Sequence, residues 1–124
     1  MVRIAVFVSG GGTNLQSLID ETAKGTINGE IKLVVSNRKK AYGLERAKNA
    51  GIKAVCIKDD ELLIKTLEEE KIDLIVLAGY LAIVSEKLIN LYPNRIMNIH
   101  PSLIPSFCGP GYYGIHVHEE AFKR

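Results

Sequence analysis

Long hydrophobic runs are missing from this 124-residue chain, and none approaches the roughly 20 apolar residues that a membrane span needs. The opening apolar stretch, Ile4 to Val8, is too short for the hydrophobic part of a secretion signal, and glycines follow it where a small-residue cleavage site would stand. Cysteine is scarce. Cys56 and Cys108 lie far apart and form no Cys-x-x-Cys pair, which argues against a zinc knuckle and a disulfide framework and suits a reducing, cytoplasmic setting. An excess of charge is missing too: the formal charge of +2 points to no particular acidic or basic partner. The dense basic run Arg38-Lys39-Lys40 has no interleaved aromatics, so it reads as a solvated loop and not a nucleic-acid patch, with a polyphosphate contact as its other use. Internal repeats, linker-like composition and low-complexity segments are absent, and Phe107 to Gly114 stands out as a glycine-rich, aromatic loop.

What is present fits one domain spanning residues 1–124, because a core of this size buries most of the surface its unfolded chain exposes. Hydrophobic residues at 47% and charged residues at 24% are ordinary for a globular protein. Apolar, β-rich runs at Arg3–Ser9, Ile31–Ser36, Lys53–Ile57 and Leu74–Leu77 are continuous instead of alternating, as strands covered on both faces should be. Helical patterns separate them at Asn14–Lys24, at Tyr42–Ala50 before a Gly51 suited to a left-handed cap, and at Glu61–Lys71 with its charged outer face. A fourth helix is expected over Ser85–Asn90 and a fifth strand over Arg95–Ile99. Alternation of this kind predicts an α/β fold: a doubly wound, mostly parallel sheet with helices on both faces, whose ligands sit beyond the carboxyl ends of the strands. From about Ile115 the sequence turns helical again through His118, Glu119, Glu120 and Phe122, with no glycine or proline stop before Arg124, and the fold is expected to be incomplete there.

The first strand runs directly into Ser9-Gly10-Gly11-Gly12-Thr13-Asn14 and then into a helix. Backbone N–H groups and a helix N-terminus therefore converge on one point, which suits an anion. Glycines allow close backbone approach, and Thr13 or Asn14 is expected to cap the helix and offer a side-chain donor. No Gly-Lys-Ser/Thr follows, so this is not a Walker loop, and Ser36-Asn37 stands where a dinucleotide site would want an acidic residue. A single phosphate is the preferred guest. The competing reading is a tight strand-to-helix turn that needs glycine only for its backbone.

The segment Asn98-Ile99-His100-Pro101-Ser102 ends the fifth strand. Side chains two apart on a strand share a face, so Asn98 and His100 should project together toward the ligand crevice. An amide can hold an oxyanion developing at a carbonyl carbon, and an imidazole beside it can stabilise charge or donate a proton to that oxygen. Acyl transfer is the implied chemistry, and a hydrogen-bonded structural histidine is the alternative. Pro101 and Pro105 restrict the backbone on either side of Ser102-Leu103-Ile104. His116 and His118 would point to different helix faces and have no third ligand nearby, so no metal site is expected. Ser9 and Ser102 sit in no Gly-x-Ser-x-Gly elbow, which excludes a serine hydrolase of that design.

Taken in order, Ser9-Gly-Gly-Gly-Thr-Asn14-Leu15, Ser36-Asn37, Tyr42-Gly43-Leu44-Glu45-Arg46-Ala47, Leu77-Ala78-Gly79-Tyr80 and Asn98-Ile-His-Pro-Ser-Leu-Ile-Pro105 resemble the glycinamide ribonucleotide formyltransferases of purine synthesis. The resemblance runs over essentially the whole chain. It implies a Rossmann-like formyltransferase fold and transfer of a formyl group from 10-formyltetrahydrofolate, as co-substrate, to 5′-phosphoribosylglycinamide without a metal. By the same likeness, Gly12, Thr13 and Asn14 hold the ribose phosphate, and Ile99 and Pro101 flank the glycinamide. Gly79, Leu81, Ala82, Ile83 and Val84, with Asn98, line the folate site. Asn98 orients the oxyanion, and His100 is the general acid. The partners implied are small molecules, with neither nucleic acid nor membrane among them.

Two departures accompany the likeness. Many relatives carry an arginine where this chain has Ala82, and the short loop after Ile57 leaves the usual basic folate contact unassigned between Lys58 and Lys65. The family's catalytic aspartate, further strands and a closing helix are expected beyond residue 124. On that expectation the chain fits a fragment or a frameshifted product, with weak or absent activity alone and an open sheet edge that invites association, for instance as a homodimer. A formyltetrahydrofolate hydrolase, a methionyl-tRNA formyltransferase and a non-catalytic phosphate-binding module are the competing functions.

Overall fold

A strand sandwiched between two helical layers must be apolar at successive positions, and the first strand meets that requirement: Ile4 to Val8 are all buried. The computed structural model describes residues 2–99. In chain order these form β1 (Val2–Val8), α1 (Thr13–Lys24), β2 (Gly29–Ser36), α2 (Tyr42–Asn49), β3 (Lys53–Cys56), α3 (Asp60–Glu69), β4 (Leu74–Ala78), α4 (Glu86–Leu91) and β5 (Ile96–Ile99). Expectations for His100, Pro101, the glycine-rich loop and the helix from Ile115 lie outside the described residues.

All pairings are parallel, in the order β3-β2-β1-β4-β5, so the doubly wound sheet read from the sequence is the observed one. The chain winds outward from β1 to β2 and β3, then returns past β1 to β4 and β5. Alternate side chains of the strands feed two cores. Ile4, Val6 and Val8 pack with Leu15 of α1 and with Leu44 and Ala47 of α2. Ala5 and Phe7 pack on the other face with Leu63, Ile64 and Leu67 of α3 and Leu88 of α4. The register of β1 on β2 shifts between Ile4 and Ala5, and beside that irregularity Lys32 reaches out to pair with Glu30 at 3.0 Å.

Element ends differ from expectation by a residue or two, each for a local reason. Helix α1 starts at Thr13, and its cap is Gly12 in a left-handed conformation with no side-chain hydrogen bond, so neither Thr13 nor Asn14 caps it. The glycine turns the chain without the help of a side chain, which leaves both residues inside the first turn. Helix α3 starts at Asp60 instead of Glu61, because the Asp59 carboxylate accepts the Leu62 N–H at 2.9 Å. Ser85 caps α4 in the same manner, accepting from Leu88 N–H at 3.1 Å. Strand β5 begins at Ile96 because Arg95 N–H is spent on the turn to Tyr92 C=O at 3.0 Å.

The central ring of Phe7 is fully buried and meets Tyr80 edge-on at 5.2 Å between centroids. Phe7→Ala should therefore cost about 3–5 kcal/mol, read as a lower urea midpoint with an unchanged slope; a loss below 1 kcal/mol would contradict this packing.

Candidate functional site

Parallel strands place all their carboxyl ends along one edge. Register fixes the levels: Phe7 is opposite Leu77, Leu77 opposite Asn98, Val8 opposite Ser36, and Ser36 opposite Cys56. The loops following these residues, 9–12, 37–41, 57–59 and 79–85, therefore gather at that edge beside the Asn98 end of β5. The winding reverses between β1 and β4, so the crevice of a doubly wound fold opens there.

The glycine loop is held by contacts that only glycine allows. Gly43 N–H donates to Gly10 C=O at 3.0 Å, drawing the start of α2 against the loop. A Cβ on Gly12 would stand 2.7 Å from the Gly43 Cα, and one on Gly43 would stand 2.8 Å from Val8 Cγ2. Gly12 also has φ of 77°, a conformation that L side chains rarely adopt. Gly10 and Gly11 have open space at their Cβ positions, facing a cavity of about 360 Å³. The turn-only reading and the ligand reading thus divide along the loop: Gly12 is required by packing, whereas Gly10 and Gly11 face empty space.

That cavity is lined by Ser9, Gly10, Gly11, Arg38, Lys40, Ala41 and Tyr42. Arg38 and Lys40 are exposed, as a solvated loop would be, yet they form its cationic wall. The sequence pattern alone did not join them to the glycines; the usable signal was their place after the second strand, which in a doubly wound order neighbours the first. Arg46 adds a third cation: its Nε donates to Gly11 C=O at 2.7 Å, its Nη1 to Gln16 Oε1 at 3.4 Å, and its charge lies 5.1 Å from the Tyr42 ring centroid. Backbone donors, cations and a helix N-terminus together suit a phosphate.

A second cavity, about 440 Å³, adjoins the first and shares Arg38 with it. Asn37, Ile57, Lys58, Asp60, Leu63, Tyr80, Ala82, Ile83 and Ser85 complete its lining. Of the stretch expected to line a folate site, Ala82 and Ile83 reach this cavity. Ile83 is 95% exposed and Leu81 72% exposed, apolar surface available to a flat aromatic ligand. Lys58 lines the cavity, and Lys65 does not. Asp60 accepts a hydrogen bond from Ser85 Oγ at 2.8 Å. Burial pushes the Tyr80 phenol above its usual pKa, and the nearby Asp60 and Cys56 push the same way.

Asn98 is half-buried near the end of β5. Its neighbour Ile96 belongs to the α3/α4 core, and Met97 and Ile99 line a cavity on the α1 face; alternation therefore turns Asn98 toward the α3/α4 side. His100 and Pro101 lie outside the described residues. A larger cavity of about 680 Å³ lies at the opposite, amino-terminal end of β2 and β3, lined by Gly29–Lys32 and Ala50–Lys53, far from these groups. Among the described residues no three His, Cys, Asp or Glu side chains gather as a metal would need, and no helix is long and apolar enough to cross a membrane.

The model of one protein family, described as "Formyl transferase", matches residues 2–124. The chain is 43% identical over 122 residues to the phosphoribosylglycinamide formyltransferase of Haemophilus influenzae, covering 91% of this chain and 58% of that protein. It is 40% identical over 131 residues to the chloroplastic phosphoribosylglycinamide formyltransferase of Arabidopsis thaliana, covering 98% of this chain and 45% of that protein. Among solved structures, glycinamide ribonucleotide transformylase 1 of Symbiobacterium toebii superposes with a TM-score of 0.78 at 41% identity, over 98% of this chain and 60% of that one. The chain thus spans roughly half the length of the relatives it matches.

Two measurements test this geometry. Gly12→Ala combines a backbone clash with a left-handed φ, so it should destabilise the fold by about 1–3 kcal/mol and displace the Gly43 amide signal; an unchanged denaturation midpoint would contradict the close approach. The raised Tyr80 pKa means that the folded state favours the neutral phenol. Its contribution is full below about pH 10 and is lost as pH rises through the elevated folded value. Tyr80→Phe should flatten the alkaline decline of stability, and an identical decline in both proteins would refute the assigned burial effect.

Proposed function

The chain belongs to the formyl transferase family, and from that premise we propose that it serves the transfer of a formyl group from 10-formyltetrahydrofolate to the amino group of 5′-phosphoribosylglycinamide. The observation that carries this reading is the adjacency of two cavities at one sheet edge that share Arg38. One sets Gly10 and Gly11 beside Arg38 and Lys40, and the other sets Tyr80, Ala82 and Ile83 beside the polar side chains of Asn37, Lys58, Asp60 and Ser85. A phosphorylated acceptor and a ring-bearing donor need such a pair.

In this reading the ribose phosphate reaches from the cavity at Gly10 and Gly11 to the next loop residues, Gly12, Thr13 and Asn14, which do not line that cavity, with Arg38 and Lys40 offsetting its charge. The folate ring lies on the stretch from Gly79 through Leu81, Ala82, Ile83 and Val84. The glycinamide amine attacks the formyl carbon, a C–N bond forms, and the carbonyl oxygen gains the electron pair as an oxyanion. Asn98 stabilises that oxygen by donating from its amide. The oxyanion re-forms the carbonyl as the carbon–N10 bond of the tetrahydrofolate breaks; His100 gives N10 a proton and takes up the one that the attacking amine releases. Ile99 and Pro101 border the acceptor. A small-molecule reaction of this kind suits the cytoplasm, and it needs neither metal nor nucleic acid.

In formyl transfer assayed with both substrates, Asn98→Ala should lower kcat on the order of 100- to 1000-fold with little change in acceptor KM. Equal rates in the two proteins would refute the oxyanion role. Release of formate without the acceptor would identify a hydrolase instead.

A further inference from the structure

Ser9 stands at the start of the glycine loop, 1% exposed, and its hydroxyl is used from two sides. It donates to Asn37 Oδ1 at 2.6 Å and accepts the Leu81 N–H at 2.8 Å. These partners lie 28 and 72 residues away in sequence, on the loops that follow β2 and β4. One buried oxygen therefore joins the phosphate cavity, the basic loop and the wall of the second cavity across the point where the winding reverses.

The segment on the far side is otherwise held near its ends, where Tyr80 and Val84 pack against the α3/α4 core and Ser85 Oγ donates to Asp60 at 2.8 Å. Leu81 and Ile83 project into solvent, and Gly79 has φ of 75° with nothing within 4 Å of its Cβ position. Tyr80 leans on Phe7. Among the described residues, the Leu81–Ser9 contact is the hydrogen bond that ties the backbone of residues 79–84 to the glycine loop. On the other branch, Asn37 precedes Arg38, whose N–H donates to Ser36 Oγ at 3.0 Å. A serine hydroxyl has one proton to give and two lone pairs, so a shift of Ser9 changes both contacts at once.

We infer that Ser9 is a positioning residue that couples anion binding at the glycine loop to the placement of the Leu81–Val84 segment, so that an occupied phosphate cavity sets the wall of the neighbouring one. The inference rests on the anion reading of the loop proposed above, and deepens it by giving the two cavities a physical link. Coupling of this type ordinarily amounts to about 5- to 150-fold in affinity. It acts in both directions, so a ligand on the far wall also tightens the anion site.

The test follows backbone amide signals of the full chain by NMR while inorganic phosphate is added. In the wild type, phosphate should move the amides of Gly10 to Asn14 and, with them, Leu81. In Ser9→Ala the loop amides should still move, the Leu81 response should vanish, and Leu81 hydrogen exchange should speed up by about tenfold or more while Val76 and Leu77 keep their protection. Ser9→Thr, which keeps the hydroxyl, should restore the Leu81 response, an outcome that a purely structural role does not demand. A Leu81 response of equal size in Ser9→Ala, or unchanged Leu81 exchange, would overturn the coupling alone. No shift at Gly10 to Asn14 in the wild type would overturn the anion reading and the coupling with it. If Ser9→Ala does not fold, Asn37→Ala keeps the Leu81 bond and removes the other anchor. A weakened Leu81 response there supports the inference, and an unaltered one refutes it.

Discussion

Everything at the ligand edge depends on β1 being paired on both sides and buried on both faces. Its neighbours β2 and β4 meet it in parallel, and two separate cores close over its alternate side chains. A strand so enclosed has no freedom to slide, because a slip by one residue would exchange its two sets of side chains between differently shaped cores. The residues that leave its carboxyl end inherit that rigidity. Ser9 follows directly on that strand, and the glycine loop departs from a defined point.

The second constraint is steric. Gly12 and Gly43 bring the starts of α1 and α2 within backbone contact, with Val8 beneath them. Beside this close approach, Gly10 and Gly11 keep open space at their Cβ positions, and Arg46 Nε donates to the Gly11 carbonyl at 2.7 Å. The shape of the loop is thus set by the packing that lies under it, and Arg38 and Lys40 of the neighbouring loop line the same cavity.

Much of the architecture was legible locally. Continuous apolar runs marked the strands because a doubly covered sheet leaves no polar face, and the alternation of runs with amphipathic stretches implied the parallel order that is observed. Ends were less legible. Asp59 and Ser85 cap α3 and α4 through their own side chains, a signal present in the sequence, whereas Gly12 takes the cap of α1 by conformation and leaves Thr13 and Asn14 without that task. The glycine loop and the Asn98 end of β5 could be singled out by residue type, since few other uses explain three glycines between strand and helix. Arg38 and Lys40 could not, because an exposed basic run looks the same whether or not a cavity lies beside it.

The sequence by itself determined the elements, their parallel arrangement and the candidate chemistry, because those follow from periodicity and residue type over neighbouring positions. Tertiary structure alone decided which loops share an edge. It set Arg38 between the two cavities, brought Lys58 and not Lys65 to the wall beside Ala82, and joined Ser9 to Asn37 and Leu81. Such contacts span tens of residues, and no local pattern encodes them. They come into being when the winding reverses at β1 and the sheet register sets the depth of each loop.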